Sequence, residues 1–231
     1  MVKYHFITFA TETYLSYAKE LCESALTKGG FDTVKIYTYQ DIDPIFSSKN
    51  KHILSNKRGA GFWLWKPYII QKHLLTIDQD DILCYCDSSY LFLKDIRQVS
   101  DEWLSNKNIS APHNKANETS WIERHFTKFD TLVLMNVPKL LHDSYRNNYQ
   151  VWAGFILLRN CLNTVRFIGE WLTYSQDERM ITDERSIFGP EDINFIDNRH
   201  DQSILSILFK KWGIPMNNID RLFLYNRRSP L

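Results

Sequence analysis

The sequence predicts an α/β fold, a single Rossmann-like domain over residues 1–231 whose mostly parallel central sheet is flanked by helices. Three observations carry this expectation. The first forty residues read strand, helix, strand, an order that favours a parallel sheet with helices on its faces. A further apolar run, Asp81-Ile-Leu-Cys-Tyr-Cys-Asp87-Ser88-Ser89, stops abruptly in a carboxylate and two small hydroxyl residues. Ligands of open α/β sheets bind outside the carboxyl ends of strands, so this edge is a candidate site. Finally, 231 residues with a hydrophobic share of 44% suffice for one core, and no repeat or linker interrupts them.

The elements follow in order. Residues 4–10 are apolar enough for a buried first strand. Leu15, Ala18, Leu21, Cys22, Ala25 and Leu26 then recur at helical spacing, and Gly29-Gly30 supplies a left-handed stop. Residues 34–39 form the second strand. Residues 40–58 are polar, with Asp43-Pro44 and Ser47-Ser48 marking a loop that has room for a short helix. In Gly59-Ala-Gly-Phe-Trp-Leu-Trp-Lys66-Pro67, the proline suits the first turn of a helix whose apolar side is Ile69, Ile70, Leu74 and Ile77. Lys66 thus stands at a helix start, where free N–H groups and the macrodipole already favour anions. Asp87 ends the next strand. Residues 108–112 are expected as a strand, 121–126 and 138–145 as short helices, and 150–158 as a strand containing Ala153-Gly154. A glycine inside a strand marks a bulge or the close approach of another group. Val165, Phe167, Ile168, Trp171 and Leu172 form the core side of a helix, and a polar, acidic loop spans 176–198. The last helix runs over 201–212 with Ile204, Leu205, Leu208 and Trp212 inward and Gly213 as its stop.

Composition narrows the function. A net charge of +1 gives no global field for nucleic acid, and Arg221, Arg227 and Arg228 are too few to change that. Aromatic residues make up 14%, including seven Trp and twelve Tyr, an excess that suits a cleft stacking nucleobases or sugars. Cys22, Cys84, Cys86 and Cys161 fit no zinc spacing and read as reduced, packed thiols, which points to a cytoplasmic protein. The opening residues enter a strand directly without the layout of a signal peptide, and no apolar run approaches the length of a membrane span. The first βα turn lacks Gly-x-Gly-x-x-Gly and no phosphate-binding Gly-x-x-x-x-Gly-Lys-Ser/Thr occurs, which argues against dinucleotide and P-loop chemistry.

Taken in order, these pieces resemble the nucleotide-diphospho-sugar glycosyltransferases of the GT-A fold. Tyr85-Cys-Asp87-Ser88-Ser89 stands where that fold carries its Asp-x-Asp edge, and Trp152-Ala153-Gly154-Phe155 where related enzymes have an Asn-Ala-Gly strand. His200-Asp201-Gln202-Ser203 is similar to the Asp-Gln helix start of retaining glycogenin-like and lipopolysaccharide galactosyltransferase-like enzymes. The Gly-Phe-Trp-Leu-Trp-Lys-Pro segment with His-Asp-Gln-Ser also resembles small bacterial and viral glycosyltransferase-like proteins. The likeness covers roughly residues 3–213.

The resemblance implies transfer of a sugar from a nucleotide-sugar donor to a glycan or lipid-linked acceptor. It assigns donor binding to Thr8, Ala10, Thr11, Lys66, Asp87, Ser88, Ser89, Ala153 and Gly154, and catalytic roles to Asp201 and Gln202. A divalent cation, Mn2+ or Mg2+, would be held by Asp87 and His200. Two departures stand out: Ser89 replaces the second Asp of Asp-x-Asp, and no His follows Trp212. A hydroxyl is a poor divalent ligand beside a carboxylate, so Lys66 is an alternative charge for the diphosphate. The same loss motivates a second reading, a degenerate domain that binds a nucleotide sugar or glycan without transfer.

Each residue also has an ordinary use. Asp87 suits a turn, Thr11 or Thr13 a helix N-cap, and Asp201 the first turn of a helix. Gly154 suits close packing, Lys66 a solvated helix start, and Trp63 and Trp65 a core. The acidic residues Asp183, Glu184, Glu191, Asp192 and Asp197 read as a solvated face, or as the source of a general base if configuration inverts. The Asp201-Gln202 start leans toward retention. The functional reading requires Thr8, Lys66, Asp87, Gly154 and Asp201 to meet in one cleft.

Overall fold

Strand β1 (Tyr4–Phe9) is buried along its whole length, so both of its faces need cover. The computed structural model describes residues 1–113, 121–218 and the backbone of 224–226. Arg221, Arg227 and Arg228 lie outside the described residues. Helix α1 (Leu15–Thr27) turns Ala18, Leu21 and Ala25 inward and ends at Gly29-Gly30, where Gly30 takes φ 77°. The chain returns in β2 (Thr33–Tyr37), parallel to β1.

The polar stretch that follows holds two short helices, α2 (Pro44–Lys49) and α3 (Lys51–Leu54). The Asp43 carboxylate starts α2 by accepting from the Ile45 and Phe46 N–H groups. After the irregular turn α4 (Gly59–Phe62) and helix α5 (Trp65–Leu74), β3 (Ile82–Cys86) lies parallel to β1 on its other side. The second half comprises β4 (Tyr90–Phe92), α6 (Arg97–Trp103), β5 (Ile109–Ser110), α7 (Glu123–Phe126), α8 (Phe129–Leu134) and α9 (His142–Arg146). It continues through β6 (Phe155–Arg159), α10 (Leu162–Ser175), α11 (Glu178–Ile181), α12 (Asp201–Lys211) and β7 (Leu224–Asn226).

The main sheet has the order β2-β1-β3-β6-β5, and β7 pairs with β4 in a separate ribbon. The sheet is mostly but not wholly parallel: β6 runs against both β3 and β5, so four strands point one way and one points back. The strand expected over 150–158 is corrected in its bounds. The strand begins only at Phe155, and Ala153-Gly154 form the turn that enters it. Upstream, Val151 N–H donates to the Ser206 hydroxyl and Trp152 N–H to the Pro112 carbonyl, so no continuous ladder forms there. Because β6 is reversed, its start lies beside the end of β3: Phe155 pairs with Cys86, and Asp87 N–H donates to the Gly154 carbonyl at 2.9 Å.

Alternation along the strands divides the core. Ile7, Phe9, Leu83 and Tyr85 face one layer, covered by α5, α10 and α12 with Phe167, Trp171, Ile204 and Leu208. Phe6, Cys84 and Cys86 face the other, under α1 and α6. Each fully buried side chain of this size contributes about 1.5–3 kcal/mol. Trp212 is only half-buried and meets Phe167 edge-on at 5.3 Å. Among the described residues, no helix is long and apolar enough to cross a membrane.

Candidate functional site

The wall of the site begins in an unusual backbone. Five consecutive residues, Gly59, Ala60, Gly61, Phe62 and Trp63, have φ values of 56°, 53°, 95°, 50° and 59°. They form a turn of left-handed helix closed by bonds from Phe62 N–H to the Arg58 carbonyl and from Trp63 N–H to the Gly59 carbonyl. For L-residues this conformation costs roughly 1–2 kcal/mol each. Glycine at 61 is required on space as well, since a Cβ would stand 2.7 Å from the Leu54 Cα. The turn lays Trp65 flat on Phe9 with ring centroids 3.9 Å apart, brings Trp63 against the His200 ring, and starts α5 so that Lys66 points into the protein.

Lys66 is 3% exposed. Its ammonium donates to the Ala153 carbonyl at 3.2 Å and lies 3.4 Å from Asp87 Oδ1 and 3.3 Å from Asp201 Oδ2. Burial opposes its charge, but the carboxylates of Asp201 and Asp87 outweigh burial and hold its pKa above the ordinary value. Asp201, equally buried at the start of α12, is pushed up by burial to about 7, with Lys66 opposing the rise and Asp87 adding to it. Asp87 is about one-third exposed and accepts from the Tyr85 hydroxyl at 2.6 Å. A strand end and two helix starts thus place three charges within one contact shell, and the turn before the reversed strand adds the Ala153 carbonyl.

Two adjoining hollows of about 420 and 340 Å3 flank this cluster and share Trp63 and Asp87 in their walls. The larger adds Phe9, Tyr14, Trp65 and Lys57 to Thr11, Ser88 and Ser89. The smaller is lined by Lys66, Ala153, Gly154, His200, Asp201 and Gln202, with Trp152 and Arg199. Thr11, Lys66, Asp87, Ser88, Ser89, Ala153, Gly154, His200, Asp201 and Gln202 therefore meet along one cleft. Thr8 and Ala10 do not line it. Thr8 is fully buried and donates its hydroxyl to the Cys86 carbonyl at 2.8 Å, and Ala10 is buried with its N–H on the Tyr37 carbonyl. Thr8 is one residue too deep in β1 and ties the strands together instead. Over Gly154 lies the Trp152 indole, 2.3 Å from where a Cβ would stand, so the glycine makes room for that ring.

Gln202 is pinned. Its Oε1 accepts from Ala153 N–H at 3.1 Å and its Nε2 donates to Gln150 Oε1 at 2.6 Å. Gln150 in turn reaches the fully buried Glu123, which pairs with Lys210. His200 sits at φ 56°, ψ −120°, stacks on Trp63 and donates Nδ1–H to the Ile181 carbonyl at 2.7 Å. Burial holds its pKa below the ordinary value.

The acidic loop is not simply a solvated face. Arg58 contacts Asp183 at 3.6 Å and Asp197 at 3.2 Å, Arg146 pairs with Asp192, and Glu191 accepts from Phe129 N–H. Glu184 stays exposed. Sequence reasoning missed Lys57, Arg58, Arg199, Tyr14 and Trp152 as cleft residues. The pair Lys57-Arg58 just before a glycine-rich turn was the available signal for an anion site.

The expected divalent cation does not fit this set. Such ions take several oxygen ligands. Among the described residues no group of three or more His, Cys, Asp and Glu side chains could hold a metal. Asp87 already faces an ammonium, and His200 spends Nδ1 on a carbonyl. The position between the two carboxylates is filled by Lys66.

No family model matches the chain, and no curated protein matches it by sequence. Solved structures do match. Mouse xyloside xylosyltransferase 1 in its apo form aligns with a TM-score of 0.50 and 8% identity over 100% of this chain and 99% of that one. The apo glycosyltransferase GlyE of Streptococcus pneumoniae TIGR4 aligns with a TM-score of 0.46 and 15% identity over 91% of this chain. The match spans 44% of the GlyE chain. The first likeness establishes a distant GT-A glycosyltransferase-like fold.

Proposed function

We propose that the protein transfers a sugar from a nucleoside-diphosphate donor to a glycan or lipid-linked acceptor, with Lys66 as the fixed cation of the donor site. The observation that supports this most is the buried Lys66 ammonium between Asp87 and Asp201 at the ligand-binding edge of the sheet. In glycosyl transfer the departing diphosphate gains negative charge while the sugar ring becomes cation-like. A preorganised ammonium stabilises the first, and a buried carboxylate beside it can hold ring hydroxyls and stabilise the second.

In this reading the nucleobase enters the hollow of Tyr14, Trp63 and Trp65, where ring faces offer stacking. Lys57, Arg58 and Lys66 approach the diphosphate. The sugar lies in the smaller hollow, with Asp201 on its hydroxyls and Gln202 facing the anomeric carbon. Pinning by Ala153 and Gln150 keeps Gln202 oriented without its having to ionise. Retention follows if the acceptor enters on the face that the phosphate leaves, because that phosphate can then accept the acceptor's proton.

Incubation with a panel of nucleotide sugars, with manganese or with a chelator, tests the proposal. Donor hydrolysis that persists with the chelator is the expected result. Proton NMR of the anomeric signal then reads retention directly. The absence of the second Asp and the misfit to a divalent ion favour one other reading, a binding module without transfer. Donor binding with no turnover, in the presence of an accepting glycan, would select it.

A further inference from the structure

Beside the cleft, between the 183–198 loop and the start of α8, lies a separate cavity of about 570 Å3. Three polar atoms in its lining residues are buried without a hydrogen-bond partner: Asp197 Oδ1, which lies 3.3 Å from the Arg199 guanidinium in an ion pair, Lys128 Nζ and Asn198 Oδ1. Lys128 is 1% exposed and Asn198 2% exposed, yet neither Lys128 Nζ nor Asn198 Oδ1 has a hydrogen-bond partner among the described residues. The Asn198 amide nitrogen is fixed by the carbonyls of Met180 and Thr182, which orients the oxygen. Burial lowers the Lys128 pKa, and the nearby carboxylates, Asp130 foremost, only partly oppose it. A buried donor and a buried acceptor left unmade each cost roughly 1–3 kcal/mol, so a guest that offers a group to each gains from both.

A hydroxyl does so, since it accepts from an ammonium and donates to a carbonyl oxygen. A fully deprotonated anion would satisfy only the lysine. The lining moreover carries three cationic and four acidic side chains, a balance that does not favour an anion. Phe195 and Pro190 add apolar surface of the kind that covers the C–H face of a sugar ring. Arg58 lines both this cavity and the sugar hollow, so a ligand here is next to the cleft. We infer that the cavity is a saccharide subsite, holding a neutral sugar of the acceptor by hydroxyls on Lys128 and Asn198. The acceptor role rests on the transfer reading above; the binding of a neutral sugar does not.

The test uses the full chain and a panel of methyl hexopyranosides and methyl N-acetylhexosaminides, read by saturation-transfer NMR. Inorganic phosphate serves as the anionic arm, and a nucleoside diphosphate is titrated separately. At least one neutral glycoside should bind wild type and bind Lys128→Met about ten-fold more weakly, while nucleoside diphosphate affinity is unchanged in the variant. Methionine replaces an unpaired buried ammonium by an apolar chain of similar length, so misfolding is not the expected outcome, and the nucleotide titration checks it. No glycoside signal with wild type, equal signals in the two proteins, or displacement by phosphate would overturn the inference. Glycoside binding without any nucleotide binding would leave the subsite standing and remove the transfer reading.

Discussion

The floor of the cleft and the cavity beside it each bury a lysine, and they treat it in opposite ways. Lys66 meets two carboxylates and a carbonyl, and its pKa rises; Lys128 meets no hydrogen-bond acceptor, and its pKa falls. Burial is nearly the same, so partners alone decide the difference. The first lysine completes a charge arrangement that exists before any ligand arrives. The second has a polar requirement that no described group of the protein itself meets.

The largest effect that tests this contrast is expected from Lys66→Met. Removing one member of a buried ionic cluster costs about 3–5 kcal/mol, measured by urea unfolding. The loss should shrink in mild acid, because Asp201, already raised to about 7, then carries a proton and needs a cation less. A loss that does not change with pH would break the link between the two residues.

Asp87→Ala comes next and should separate function from stability. One-third exposed, Asp87 contributes within about 1 kcal/mol to folding, yet its loss should lower transfer at least ~100-fold. The opposite pattern, a large loss of stability with activity intact, would make Asp87 a structural residue.

Asp201→Asn sharpens the comparison through pH. The fold keeps the Asp201 proton up to about 7, whereas the unfolded chain releases it near its ordinary value of 3.8. Between these values the native state holds the extra proton, so the Asp201 contribution makes stability fall as pH rises, by about 4 kcal/mol in total. The asparagine variant should lose that slope in unfolding titrations. The smallest effect is expected from Lys128→Met, a gain of up to about 1 kcal/mol in the absence of ligand, read as a higher denaturation midpoint. A marked loss instead would mean that the ammonium is satisfied by bound water.

The parallel half of the sheet was largely legible because its signals are local. The apolar run of β1, the spacing of Leu21 and Ala25 in α1, and the polar stop at Asp87 all lie within one element. The direction of β6 was not legible, since pairing with β3 is a long-range choice that leaves no local mark. Thr8 shows the other limit: a shift of one residue along a strand separates a buried tie from a cleft residue. Lys66, Asp87 and Asp201 were found because each stands at an element boundary. Arg58 and Lys128 were not, because what distinguishes them is the company supplied by the distant 183–198 loop.

The left-handed turn over Gly59 to Trp63 has a consequence for chirality itself. Ala60 sits at φ 53°, a region that an L-alanine resists and its mirror image prefers. A chain made by chemical ligation with D-alanine at that one position should therefore hold the cleft wall more firmly than the natural enantiomer does. Here the handedness of the polypeptide works against its own local backbone, and the packing of Trp63 and Trp65 keeps the turn in place.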